Sequence, residues 1–183
     1  MGWCVWITGL PGSGKSVIAN ALMKQLEARG IHAQIVSSDI MRKKVTPIPK
    51  YTEEERDLLY NALVFVSTLL IQNGVNVIID ATGNRRQYRD MARESIPRFM
   101  EAYARCPLEV CIRRETQRKQ RYNAPTDIYK KGLQGKSATV PGINVPYEEP
   151  LNPEVVMEAD KLSADQCAQQ IIEVMETKFL RES

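Results

Sequence analysis

Residues 9–16 read GLPGSGKS, and the context of these eight residues restricts the fold more than any other feature of the 183-residue chain. On their amino side CVWIT (4–8) is a short apolar run of strand character. On their carboxyl side SVIANALMKQLEARG repeats its apolar residues at steps of three and four, the period of an amphipathic helix. The octapeptide fits G-x-x-x-x-G-K-[ST], and strand, glycine-rich turn and helix in that order are the setting in which the pattern has physical meaning. Gly9, Gly12 and Gly14, with Ser13 between them, let backbone amides converge on phosphate oxygens; Lys15 brings charge to the β- and γ-phosphates, and Ser16 offers a hydroxyl to Mg²⁺. ATP and Mg²⁺ are the expected ligands.

The rest of the chain alternates in the same way. HAQIVSSD is a short strand ending on polar residues, and the basic, proline-marked MRKKVTPIPK reads as loop. YTEEERDLLYNALVFVSTLLIQNG carries a Thr and acidic residues ahead of a long apolar-periodic run and closes on Gly74, matching helix start and stop signals. VNVIIDAT (75–82) is a continuous apolar run of the kind buried on both faces of a sheet. RRQYRDMARESIPRF then reads as helix, FMEAYAR as strand, PLEVCIRRETQRKQRY as a charged helix, VVMEADKL as a last strand and SADQCAQQIIEVMETKFL as a Ser-capped helix. Strands alternating with helices imply an α/β fold with a parallel sheet covered on both faces. A chain of this length closes one core, so a single domain over 1–183 is expected, with a lid region at about 113–150.

Composition excludes more than it assigns. Lys and Arg number 25 against 22 Asp and Glu, an excess too small to argue for a nucleic-acid surface and compatible with anionic small molecules. Cys4, Cys106, Cys111 and Cys167 are scattered, and His32 is the one histidine, so no zinc spacing emerges and reduced, buried thiols are expected. No apolar run approaches membrane-spanning length and the first residues lack a signal-peptide pattern, so a soluble, cytoplasmic protein is expected. The oligomeric state is left open, a homodimer included.

Two strand-end carboxylates and one basic cluster are the remaining candidates for chemistry. Asp39 closes the second strand and Asp80 closes VIID, which puts both at the carboxyl edge of a doubly wound sheet, where ligands bind. Asp39 is a candidate to accept the proton of an attacking hydroxyl or to organise the metal shell, and Asp80 to be the acidic partner of Mg²⁺. The bland alternative for each is a capped turn. Arg113, Arg114, Arg118 and Arg121 form a basic face that closes over a nucleotide in a phosphoryl-transfer enzyme, with Arg114 the residue assigned to the nucleotide and to catalysis. A solvated basic helix is the plainer reading, and no aromatic interleaving supports nucleic acid.

With these pieces placed, the chain resembles adenylylsulfate kinase, the family that phosphorylates the 3′-hydroxyl of adenosine 5′-phosphosulfate with ATP. The resemblance covers nearly the whole sequence, and its most specific part is PLEVCIRR, IYKKGLQGK and PGINVPYEEPLNPE, which is similar to the family's run from the lid into its Phe-Thr-Gly-Ile and Pro-Tyr-Glu-x-Pro segments. The irregular stretch 132–154 then corresponds to a loop that covers the acceptor nucleotide and excludes water. VSSDIMRK resembles Leu-Asp-Gly-Asp-Asn-Val-Arg, which puts Asp39 on the second aspartate and Arg42 on an acceptor-binding arginine; EERDLLYN puts Arg56 on another. Tyr129 matches the tyrosine of Lys-Gly-Leu-Tyr, and Val140 occupies the position of a phenylalanine that stacks on the acceptor's adenine.

The departures fall on the acceptor side. Ser37 replaces the first aspartate, Leu59 and Asn61 stand where an asparagine and an arginine belong, Thr126 replaces a lysine, and DATGNRR stands where the family shows Ile-Ser-Pro-Tyr-Arg. Loss of a base-stacking aromatic costs about 1–3 kcal/mol in nucleic-acid binding. Two other readings therefore stay open from sequence: a kinase for a different hydroxyl acceptor, such as another nucleotide-linked metabolite, a small polar compound or an RNA end, and a nucleotide-binding protein without turnover.

Overall fold

The computed structural model describes residues 1–50, 52–117 and 127–180. Five strands, β1 (Cys4–Thr8), β2 (Ala33–Ser37), β3 (Asn76–Asp80), β4 (Phe99–Arg105) and β5 (Val155–Glu158), form one sheet in the order β2-β3-β1-β4-β5. Every pairing is parallel. Parallel neighbours need crossovers, and helices supply them: α1 (Lys15–Glu27), α2 (Ser38–Val45), α3 (Glu53–Gln72), α4 (Arg86–Ser95), α5 (Leu108–Gln117), α6 (Ile128–Leu133) and α7 (Ala164–Met175). Arg118, Arg121 and Thr126 lie outside the described residues.

β1 is buried along its whole length, and its alternating side chains build two cores. Val5 and Ile7 face Leu22 and Leu26 of α1 and Ile171, Ile172 and Met175 of α7. Cys4 and Trp6 face the other way, into Leu63 and Val64 of α3 and Ala92 of α4. The period of two along a strand thus sets helices on both faces of the sheet. All four cysteines are free and buried, as packed apolar groups. No described helix is long and apolar enough to cross a membrane.

Caps explain where the best-read helices begin. Thr52 Oγ1 accepts from the Glu55 N–H at 3.3 Å, ahead of Glu53, Glu54 and Glu55 in the first turn of α3. Ser163 and Gln166 form a reciprocal capping box at α7, which runs on into a π-helical turn at Glu176–Leu180.

One segment differs from expectation. The stretch 41–45, expected as loop because it is basic, is the second half of α2. Asp39 sits in that helix's first turn and Arg42, Lys43 and Lys44 in its last, so the charges oppose the helix dipole, and Thr46 Oγ1 returns a bond to the Arg42 carbonyl at 3.2 Å. Asp39 is consequently a helix N-terminal residue, two residues beyond Ser37, where the strand ends, and not the strand-end residue that sequence reading made it.

The run after α6 stays irregular yet is tied down by its backbone. The amides of Ile143, Asn144 and Val145 all reach the Val140 carbonyl, and Pro141 and Val145 form a lone bridge. Further on, the Glu148 N–H donates to the Asn84 carbonyl at 2.8 Å, Arg89 donates to the Glu148 carbonyl at 2.6 Å, and Tyr147 shares a 3.0 Å bond with Thr8 of β1. Arg89 itself, 1 % exposed, stands 2.6 Å from Glu101 of β4 as a buried ion pair, off the line of a hydrogen bond.

Candidate active site

The turn between β1 and α1 is a cradle for an anion. Gly14 is the N-cap of α1 with φ 103°, and no side chain caps the helix, so the positive end of its dipole faces the turn. Gly12, at φ 83°, has no room for a side chain: a Cβ there would lie 2.5 Å from the Cys111 carbonyl. The Ser13 hydroxyl is buried with no hydrogen-bond partner among the described residues, and Lys15 Nζ donates to the Leu10 carbonyl at 2.9 Å. An orphaned hydroxyl, a helix N-terminus without a side-chain cap and an ammonium group make a donor set that fits polyphosphate.

A cavity of about 370 Å³ opens on one side of this loop. Gly12 to Ile18 form its floor, and Ala159, Leu162, Ala164 and Cys167, from the β5–α7 connection and α7, form an apolar end. Arg114 of α5 closes it, with Nη1 reaching the Ser13 carbonyl at 3.4 Å and the Cys106 sulfur at 3.8 Å. Gly9 precedes the cradle, packed against Ala104 of β4. Arg113, one residue before Arg114, is exposed.

A second cavity, of about 360 Å³, opens on the other side of the loop, and Lys15 and Ser16 line both. Its walls carry Asp39 and Arg42 from α2, Arg56 and Tyr60 from α3, and Asp80 from the end of β3. Parallel register puts Asp80 beside both Ile7 of β1 and Ser37 of β2. Lys131 of α6, and Lys136, Thr139 and Val140 of the irregular run, close the far side. Lys15, Arg42, Arg56, Lys131 and Lys136 against Asp39, Asp80 and the buried Glu115 suit an anionic ligand.

Arg56 is held rather than loose. Its Nη1 donates to Asn84 Oδ1 at 3.0 Å and its Nη2 to the Thr139 carbonyl at 2.6 Å, while burial draws its pKa down without removing the charge. Tyr60 stacks on Tyr88 with ring centroids 4.3 Å apart and accepts from the Gly83 N–H at 2.8 Å; burial pushes its hydroxyl upward, so it stays neutral.

Oxygen donors at Ser16, Asp39 and Asp80 suit Mg²⁺, which keeps much of its shell for water and phosphate. Among the described residues no cluster of three His, Cys, Asp or Glu side chains is poised to hold a metal.

Not every residue expected at the site reaches it. Tyr129 is 1 % exposed and does not line either cavity; its hydroxyl donates to the Pro11 carbonyl, so it ties α6 to the phosphate loop. Leu59 is fully buried and Asn61 is exposed, and neither lines the second cavity, into which α3 turns Arg56 and Tyr60. Sequence reading missed Tyr60, Asn84, Glu115, Lys131, Lys136 and Thr139, which no local spacing groups; only the unusual DATGNRR segment pointed toward Asn84.

Residues 1–158 match the family described as adenylylsulphate kinase. A protein of Archaeoglobus fulgidus named "probable adenylyl-sulfate kinase" is 38% identical over 161 residues, covering 88% of this chain and 98% of that one. The adenylyl-sulfate kinase of Halothermothrix orenii is 34% identical over 177 residues, covering 97% and 91%. Among solved structures, the Mycobacterium tuberculosis APS kinase CysC in complex with AMPPNP and APS superposes with a TM-score of 0.84 at 30% identity, covering 96% of this chain and 98% of that one.

Proposed function

The chain belongs to the adenylylsulfate kinase family, and from that premise we infer that it transfers the terminal phosphoryl group of ATP to the 3′-hydroxyl of adenosine 5′-phosphosulfate. The observation that carries this reading is the pair of cavities meeting at Lys15 and Ser16. Two ligands bound on opposite sides of one phosphate loop present donor phosphate and acceptor hydroxyl to each other, the arrangement an in-line transfer needs.

The residues divide accordingly. Gly12, Ser13 and Gly14 cradle the donor phosphates and Gly9 turns the chain into that cradle, while Lys15 and Arg114 spread the charge that develops on the transferring group. Ser16 and Asp80 would hold Mg²⁺, which neutralises phosphate charge when bound. Asp39, at the start of α2 in the acceptor cavity, is assigned the acceptor proton or the orientation of the metal's waters. Arg42 and Arg56 bind the acceptor's anionic groups, and Val140 forms part of the wall against its base. A cytoplasmic setting belongs to the same proposal, because four buried, unbridged thiols suit a reducing compartment.

The test is transfer of label from ATP to adenosine 5′-phosphosulfate with Mg²⁺, beside an acceptor-free control and Lys15→Ala. Saturable, Lys15-dependent 3′-phosphorylated product is expected. ATP binding without that product would overturn the acceptor assignment and leave the phosphate site standing.

A further inference from the structure

Asn84 belongs to the segment DATGNRR, where the sequence leaves the pattern of its family, and no role attaches to it from that pattern. It is a polar residue only 3 % exposed, on the wall of the acceptor cavity. Its hydrogen-bonding groups are spent in three directions. Oδ1 accepts from Arg56 Nη1 at 3.0 Å, Nδ2 donates to the Pro146 carbonyl at 3.2 Å, and its own carbonyl accepts from the Glu148 N–H at 2.8 Å. Arg56 in turn donates through Nη2 to the Thr139 carbonyl. One amide side chain therefore touches both the cation that faces the acceptor and the far end of the irregular run, and Arg56 touches the near end.

We propose that Asn84 is the positioning residue of the acceptor side: it fixes the plane of the Arg56 guanidinium and pins the strap 139–149 to the same turn, so that the acceptor's anionic group meets a cation already in place. Two neighbours support the same turn from behind. Arg89 donates to the Gly83 carbonyl and to the Glu148 carbonyl, and the Arg86 N–H donates to Glu148 Oε2 at 2.7 Å. The turn is thus a rigid base from which Asn84 acts, and an oriented guanidinium loses less freedom when it binds an anion. Because Asn84 meets Arg56 as a neutral acceptor, it orients the charge without cancelling it. This inference rests on the reading of that cavity as the acceptor site.

The substitutions separate positioning from packing. Asn84→Ala should raise the KM for adenosine 5′-phosphosulfate about tenfold or more, the scale of a hydrogen bond to a charged group. The KM for ATP should stay within about twofold, since the nucleotide cavity lies across the loop and shares no bond with Asn84. Asn84→Asp keeps the shape and the bond to Arg56 but puts a carboxylate where the acceptor's charge is needed, so it should raise the acceptor KM more than Asn84→Ala does. In an Arg56→Ala background the Asn84→Ala effect on acceptor KM should largely vanish. Full additivity with Arg56→Ala, an Asp variant milder than the Ala variant, or a parallel rise in the KM for ATP would each overturn the proposal. Amide hydrogen exchange over 139–149, read with no substrate present, supplies the independent arm: it should quicken in Asn84→Ala. If wild-type enzyme fails to phosphorylate adenosine 5′-phosphosulfate, the acceptor assignment falls while this arm still decides on Asn84, and unchanged exchange would sink it.

Discussion

The Tyr129 hydroxyl donates to the Pro11 carbonyl at 2.6 Å, joining α6 to the phosphate loop across 118 residues of sequence. Pro11 also lines the acceptor cavity, so the contact carries α6 to the place where the two cavities meet. Tyr129→Phe keeps the buried ring and removes the donor, leaving the Pro11 carbonyl short of a partner at a cost of about 1 kcal/mol. The expected result is a folded enzyme whose KM for ATP rises roughly fivefold, the same free energy read as affinity. Unchanged kinetics for both substrates would show that the loop holds its shape without α6.

Lys15 is 9 % exposed and, among the described residues, is the one ammonium that lines both cavities. Lys15→Ala should lower kcat by at least about 10²-fold, the scale on which removal of one donor to a developing anion is felt. Its thermal midpoint should move little, because Lys15 sits where the loop passes into α1, and α1 and β1 hold that loop on either side. Near-normal turnover would refute the assignment of the phosphate site.

Local chemistry made the sheet and the phosphate loop legible before the structure. A glycine-rich turn between a strand run and a helix period, and an apolar Val77–Ile79 run closed by Asp80, each need only neighbouring residues to be read. α2 escaped because its sequence is basic and its stability comes from charge placement at the two ends and from packing on α3, which no apolar stripe announces. The acceptor wall escaped for a different reason. Tyr60, Asn84, Lys131 and Thr139 come from four separate stretches and meet only once β1, β3 and the irregular run are assembled. Leu59 shows the converse: family correspondence placed it at the acceptor, yet the rotation of α3 buries it and presents Tyr60 instead.

That rotation changes what an acceptor-side redesign should do. Leu59→Asn buries an amide in a fully enclosed position and should cost about 1–3 kcal/mol of stability with no gain in acceptor use. Val140→Phe differs, because Val140 does line the cavity. Gly132 backs it closely, with any Cβ there falling 3.0 Å from a Val140 methyl group, so a larger ring at 140 has no room on that side and the cavity is the space open to it. A ring facing the acceptor's base adds stacking of about 1–3 kcal/mol, and the KM for adenosine 5′-phosphosulfate should fall by about tenfold. A rise instead would mean that the cavity, as built, already fits its base against an aliphatic wall.

Glu154 gives the protein an acid-sensitive tie. Its Oε1 and Oε2 accept from Arg93 Nη1 at 2.6 Å and Nη2 at 2.9 Å, Oε2 also accepts from the Glu101 N–H at 2.7 Å, and Lys178 approaches Oε1 at 3.3 Å. Burial pushes this carboxyl upward, but Arg93, the Glu101 amide and Lys178 outweigh it and bring its pKa down to about 2. Unfolded, the group titrates near about 4.3. A depressed folded pKa means stabilisation that is complete above the unfolded value and disappears as pH falls through the folded one, so the window runs from about pH 4.3 down to about pH 2. Arg93 is 38% exposed, and with solvent screening the contribution comes to about 1–2 kcal/mol. Glu101 runs the opposite way, since burial raises its pKa despite Arg89 and Arg93, so the wild-type pH curve alone would blend the two. Glu154→Gln isolates the tie. Urea unfolding at pH 7 should show the variant less stable by about 1–2 kcal/mol, and the gap should narrow steadily below about pH 4.3 until it closes near pH 2. A gap that stays constant over that range would assign the loss to packing and remove the ion pair from the account.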